Sequence, residues 1–267
     1  MDPSLFSVVT PILLMALFGV PHGGLDAALI KMTIAPNRQV FTFGIYIAIA
    51  LLCIMVWYAL PTVAMVLFLA LSCWHFGKSD IVDQNLSHPL LHILARGGIW
   101  TLFLPLIHWS TTEPIFAQLR TDTELIKIGL SGILPLWALG FCALIYVALA
   151  TRTVKSLAVP VLALALVPLL PPLWSLGLYF CFWHARRHTQ QTVAQLSDKA
   201  NARRLSYGIT AITLGIALMV FTIMPAEISL DTAIVRIFFV GIFALTVPHM
   251  ILIDYYLPRT YSLGTHL

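Results

Sequence analysis

Nine apolar runs follow one another along this chain, and most of its charge lies in the gaps between them. A run of about 20 apolar residues is the length a helix needs to cross a hydrocarbon core. The runs fall at Phe6–Ile30, Phe41–Ala59, Thr62–Phe76, Leu90–Ile107, Leu125–Ala150, Leu157–Leu170, Leu173–Trp183, Leu205–Met224 and Ile234–Tyr256. Charged residues make up only 10% of the chain, against about 25% in a soluble domain. The pattern therefore predicts an all-α fold, a polytopic membrane helical bundle of about nine transmembrane segments. It forms one integral-membrane domain over residues 1–267, in the cell (inner) membrane.

The segment Pro168-Leu-Leu-Pro171-Pro172 interrupts the sixth and seventh runs. It reads as a tight hairpin or as a kink in one long span, because proline removes helix hydrogen bonds either way. The kink would leave eight spans. Loop charge favours nine. With the N-terminus outside, Lys31, Arg38, Lys78, Arg152, Lys155, Arg186, Arg187, Lys199, Arg203, Arg204 and Arg259 all face the cytoplasm. Glu113, Asp122, Glu124, Glu227 and Asp231 face the other side, as the positive-inside tendency requires. Met1-Asp2-Pro3 lacks the basic start of a signal peptide, so the first run is expected to be a retained span. The net charge of +4 is loop charge of this kind and implies no nucleic-acid partner. Cys53, Cys73, Cys142 and Cys181 lie inside apolar runs without metal-site spacing, which suits reduced, buried thiols.

This topology brings five histidines to the cytoplasmic ends of spans one, three, seven and nine: His22, His75, His184, His188 and His249. In Cys181-Phe-Trp-His184-Ala-Arg-Arg-His188, a helix would place the two imidazoles one turn apart on one face, able to share a metal ion. Two readings stand side by side. Histidines gather at membrane interfaces, as His108 beside Trp109 and His266 near the C-terminus are expected to do. Intramembrane ionisable residues also face bundle interiors and mark function. His88, His92 and Arg96 enter the fourth span from the same side and could line a path to the site or serve packing.

An all-imidazole shell suits iron, copper, nickel or zinc rather than calcium or magnesium. No Gly-x-Ser-x-Gly or His-Glu-x-x-His accompanies the histidines, and a site in the bilayer has access to lipophilic molecules and oxygen. The setting favours ferrous iron. Trp74, Phe76, Phe182 and Trp183 would exclude water from it, or form an interfacial belt. A ligating histidine usually donates its second N–H to an acceptor. Asp26, four residues past His22 and on its face, is the first candidate. Asp80 and Asp254 lie five residues past their histidines and need a broken helix or another partner. Gly177, Cys181, His184 and His188 form one stripe, either a slot for a slender molecule or a close helix contact.

The motifs Pro-His22-Gly-Gly-Leu-Asp26, Trp-His75-Phe-Gly-x-x-Asp80, Trp183-His184-x-x-Arg187-His188 and Pro248-His249 occur in this order over most of the chain. Together they resemble the bacteriorhodopsin-related-protein-like (Brp/Blh) family of membrane β-carotene 15,15′-dioxygenases. The resemblance implies oxygen-dependent cleavage of the central double bond of β-carotene to two retinal molecules by a non-haem Fe(2+). It implies iron ligands at His22, His75, His184 and His188. It also implies a functional link to a retinal-binding rhodopsin. His249 matches a family motif outside those four, and with Asp26 it is assigned to the catalytic surroundings. A fifth imidazole would crowd the positions that dioxygen and substrate need, so His249 is expected beside the ligands rather than among them.

Other classes remain in view. A membrane desaturase or hydroxylase would carry several H-x-x-x-H and H-x-x-H-H boxes, and here no H-x-x-H-H occurs and H-x-x-x-H occurs only at His88/His92 and His184/His188. An opsin would need a Schiff-base lysine in its last helix, and Ile234–Tyr256 contains none. A carotenoid or retinal transporter would be separated from an oxygenase by its metal content.

Overall fold

The computed structural model describes residues 5–81 and 88–256, and over these the chain is helical with no strand. Arg259 and His266 lie outside the described residues. Seven of the described helices are long and apolar enough to cross a membrane. They are α1 (Phe6–Thr33), α2 (Pro36–Ala59), α3 (Pro61–Ser79), α4 (Pro89–Ile107), α6 (Thr123–Ala150), α10 (Lys199–Thr222) and α11 (Leu230–Asp254). Between them lie α5 (Trp109–Gln118), the shorter apolar helix α7 (Val154–Leu169), α8 (Pro172–Leu178) and α9 (Arg186–Gln195). The chain is thus a polytopic helical membrane protein.

The sixth and seventh predicted spans are the short ones. Leu170 is extended (φ −119°, ψ 149°) and Pro171 is too (φ −54°, ψ 146°), so the Pro-rich segment separates two helices instead of kinking one. The others start where local chemistry dictates. Pro36, Pro61 and Pro89 open their helices at a position where a missing N–H costs nothing. Asp122 and Asp198 cap theirs by accepting from the N–H of Leu125 (3.0 Å) and Asn201 (2.9 Å).

Two compact units divide the described chain. The first takes residues 61–179 and the start of the chain to Pro11. In it, α3 and α4 approach until backbone meets backbone: a Cβ on Gly77 would strike the Ile93 carbonyl, and one on Gly97 the Cys73 carbonyl. On another face α4 meets α6, whose Trp137 indole donates to the Ala95 carbonyl (3.1 Å). Ile99, Leu104, Phe141, Leu144 and Val167 form the apolar core.

The second unit takes residues 12–60 and 180 onward. Here the C-terminal half of α1 packs on α10 and α9, and α2 packs on α11. Leu25, Leu29, Ile30, Val193, Leu196, Ala202 and Leu252 make its core. Burial sorts its helices by role. The apolar windows of α2 and α10 are only 17% and 11% buried in protein, so most of their surface faces lipid. Those of α1 and α11 are 44% buried, and these are the helices that carry His22 and His249.

Candidate metal centre

Three helical segments each break α-helical regularity at or near a histidine. In α1, a π-wound turn runs from Met15 to Gly19. The helix then rewinds at Pro21, and the N–H groups of Gly23 (3.0 Å) and Gly24 (3.4 Å) both turn to the Val20 carbonyl. A regular helix would send the Gly23 N–H to Gly19. The released Gly19 carbonyl instead accepts from His22 Nδ1. A carbonyl can only accept, so the imidazole proton sits on Nδ1 and the lone pair on Nε2.

His184 lies on a second π-wound turn, Tyr179–Ala185, and His188 on the α-helix that continues from it. The predicted sharing of a face holds. The two rings lie 6.1 Å apart between centroids. The Phe180 ring stacks on His184 (5.7 Å, 12° between planes) and meets His22 edge-on (5.3 Å). His188 Nδ1 lies 3.4 Å from the Thr192 hydroxyl one turn on.

His249 comes from the end of α11, where the helix passes Pro248 and again opens into a π-wound turn, Ile251–Tyr256. Its Nδ1 lies 2.9 Å from both carboxylate oxygens of Asp26. Asp26 is buried, 3% exposed, and its Oδ2 also accepts from the Tyr46 hydroxyl of α2 (2.8 Å). Asp26 was expected to orient a histidine, with His22 on the same helix face as the nearest. It orients His249 instead, because the Gly19 carbonyl has already taken the His22 N–H.

The four imidazoles form one buried cluster. His22 lies 5.3 Å from His184, 5.5 Å from His188 and 5.4 Å from His249, and His188 lies 5.1 Å from His249, all between ring centroids. A metal–imidazole bond of about 2.0–2.1 Å puts a ring centroid about 3.2 Å from the ion, so two ligating rings stand about 4.5–6.5 Å apart depending on angle. The observed spacings fall inside that range. The donor set fits as well: two Nδ1 protons are committed to acceptors, leaving Nε2 lone pairs, and a cation on His249 would offset the charge of the buried Asp26 carboxylate.

His75 is buried in the first unit, on α3. Asp80, also buried there, accepts from the Tyr179 hydroxyl (3.3 Å). The path suggested for Arg96 gives way to packing: its guanidinium donates to the backbone carbonyls of Asp80 (3.2 Å) and Ser156 (2.8 Å). His92 is buried and His88 is exposed at the start of α4. Asp254 is half-buried in the last π-wound turn. His108 meets the Val167 carbonyl (2.8 Å) rather than serving only as an interfacial residue. Phe182 (56% exposed) and Trp183 (37%) point outward, and within this turn it is Phe180 that packs on the imidazoles of His22 and His184. The Cys181 thiol meets the Leu14 carbonyl (3.5 Å), the helix-contact use of its stripe.

Tyr46, Gly19 and Phe180 carry no motif in the sequence. Only Tyr46 left a signal, as the sole hydroxyl-bearing aromatic in the first half of an apolar run, where a phenol needs a partner.

An all-helical protein of membrane-spanning segments with a buried imidazole cluster defines the class: an integral-membrane protein with a buried group of histidines that could hold a metal ion. The particular family follows from comparison. The family model described as Beta-carotene 15,15'-dioxygenase matches residues 13–256, and the chain belongs to that family. It is 29% identical over 250 residues to the Beta-carotene 15,15'-dioxygenase of uncultured marine bacterium 66A03, with 91% of each chain covered. No solved structure matches.

Proposed function

We propose that this protein is a carotenoid-cleaving dioxygenase that splits β-carotene at its central 15,15′ double bond into two molecules of all-trans-retinal. Membership in the family supports the reaction, and the observation that carries the metal chemistry is the buried histidine cluster. The reaction balances without a reductant: one carbon–carbon double bond and one O–O bond break, two carbonyl bonds form, and each product keeps one oxygen atom. Fe(2+), when bound, supplies the binding and activation of dioxygen.

The chain's own residues do the rest. His22, His75, His184 and His188 hold the ion, the set that the family motifs imply. The committed Nδ1 of His22 keeps its Nε2 available, and the Phe180 ring stacked on His184 excludes water from the imidazoles. The lipid-facing helices suit a substrate that arrives through the bilayer rather than from water. The whole chain acts as one integral-membrane domain of the cell (inner) membrane, its iron toward the cytoplasmic side and its product passed to a retinal-binding rhodopsin.

The test is expression in cells that make β-carotene. Loss of colour with accumulation of retinal is expected in air, and neither without oxygen. Long apo-carotenals in place of retinal would refute the central position of the cut.

A further inference from the structure

A buried carboxylate with two donors converging on it is a device for orientation. The Tyr46 hydroxyl has one proton and two acceptors in reach, Asp26 Oδ2 at 2.8 Å and the Leu245 carbonyl at 3.5 Å. The shorter contact takes it. That proton draws Oδ2 toward α2, and the same carboxylate receives the His249 N–H at 2.9 Å on both oxygens. Asp26 thus has no freedom to rotate away from His249 while Tyr46 holds it. His249 in turn has its Nδ1 proton fixed, and its ring stands 5.1 Å from His188 and 5.4 Å from His22.

We propose that Tyr46 is a positioning residue: through Asp26 it fixes the tautomer and ring plane of His249, which serves as a further imidazole ligand beside His22, His184 and His188. This rests on the iron reading above and extends it to a ligand and a support chain that the family's four motif histidines do not include. Tyr46 also has a second face. Its ring lines a cleft of about 400 Å³ with Arg38, Phe41, Ile45, Pro248 and Ile251. The phenol therefore stands as the wall between that cleft and the Asp26 carboxylate, and Tyr46→Phe removes the hydrogen bond while leaving the wall.

The experiment measures Fe(2+) affinity of the purified full-length protein, without oxygen, by competition with a chelator. Removing the direct partner of a ligating histidine typically costs about 10–100-fold in metal affinity. Asp26→Asn should fall in that range, and Tyr46→Phe, one bond further out, should weaken iron about 3- to 10-fold. The double variant should bind no more weakly than Asp26→Asn, since both act through one carboxylate. Metal-free Tyr46→Phe should still unfold cooperatively and melt above Asp26→Ala, since His249 goes on donating to Asp26. Unchanged iron affinity in Tyr46→Phe overturns the proposal, and so does a loss that adds in full to that of Asp26→Asn. His249→Ala with wild-type affinity overturns it while the iron reading stands. A wild-type protein that binds no iron overturns both.

Discussion

His249 Nδ1 lies 2.9 Å from each carboxylate oxygen of Asp26, a contact between residues 223 positions apart that ties the first long helix of the chain to the last. Both residues are 3% exposed. A charge held in such a place must keep its partners, because an unpaired buried carboxylate is costly. The contact is therefore a fixed point of the second unit, and the two backbone irregularities near it, at Gly19 and after Pro248, are arranged around it.

The first prediction separates shape from charge at that point. Asp26→Ala strands two buried donors, the His249 N–H and the Tyr46 hydroxyl, at about 1–3 kcal/mol each. Asp26→Asn keeps the size and one acceptor oxygen. Thermal unfolding of the metal-free protein in detergent should rank wild type above Asp26→Asn and Asp26→Asn clearly above Asp26→Ala. Equal melting temperatures for all three would mean that water replaces the carboxylate and the site is not sealed.

The second prediction concerns the imidazoles. His22→Ala, His184→Ala and His188→Ala should each lose most bound iron and all retinal formation, because apolar surroundings such as Phe180 offer no replacement ligand. His249→Ala should lose iron to the same degree. The sequence pattern had placed His249 beside the ligands, on the ground that a fifth imidazole crowds the ion. His75→Ala tests the family motif directly. Metal analysis of the purified variants decides each case, and a variant with full iron and no turnover would take its residue out of the ligand set.

Much of this was legible in the sequence, for identifiable reasons. Hydropathy located the spans because a bilayer demands long apolar runs, and the H-x-x-x-H spacing predicted that His184 and His188 share a face because i and i+4 do so with little regard to tertiary structure. Asp26 was legible as a partner but not as the partner of His249, since the choice depends on where the π-wound turn leaves the Gly19 carbonyl. Tyr46 was hidden for a different reason: its hydroxyl finds its acceptor on another helix, and no local pattern encodes that meeting. Of the two readings open for Arg96, packing is the one that its contacts fit, since its guanidinium donates to the backbone carbonyls of Asp80 and Ser156.

The third prediction tests orientation in the membrane. Charge places the segment after α4 outside and the segment after α6 inside. Ser110 is exposed and takes a labelling cysteine well. Ser156 would not, because its hydroxyl is buried and its carbonyl is held by Arg96, whereas Val154 beside it is 50% exposed. In a background without native cysteines, Ser110→Cys should react with an impermeant maleimide from outside, and Val154→Cys only after the cells are opened. Reaction of both from one side would overturn the odd number of crossings between them and the loop-charge topology with it.

The last prediction uses two adjacent glycines of opposite meaning. A Cβ on Gly24 would lie 2.5 Å from the Ser206 carbonyl oxygen and 3.0 Å from Thr210 Oγ1, so α1 and α10 touch there through backbone. That carbonyl already accepts from the Thr210 hydroxyl (2.9 Å), and the Ser206 hydroxyl donates to the Pro21 carbonyl (2.6 Å). Gly24→Ala must push the helices apart or break this arrangement, an overpacking cost of about 1–3 kcal/mol. It also displaces the turn that carries His22 and Asp26, so iron content should fall along with the melting temperature. A Cβ on Gly23 meets nothing within 4 Å. There the only change is the better helix propensity of alanine, up to about 1 kcal/mol, and Gly23→Ala should melt at or above wild type with full iron. Neighbouring substitutions of the same kind should thus move stability in opposite directions. If Gly24→Ala keeps wild-type stability and iron, the close contact of α1 with α10 does not hold the turn that positions His22.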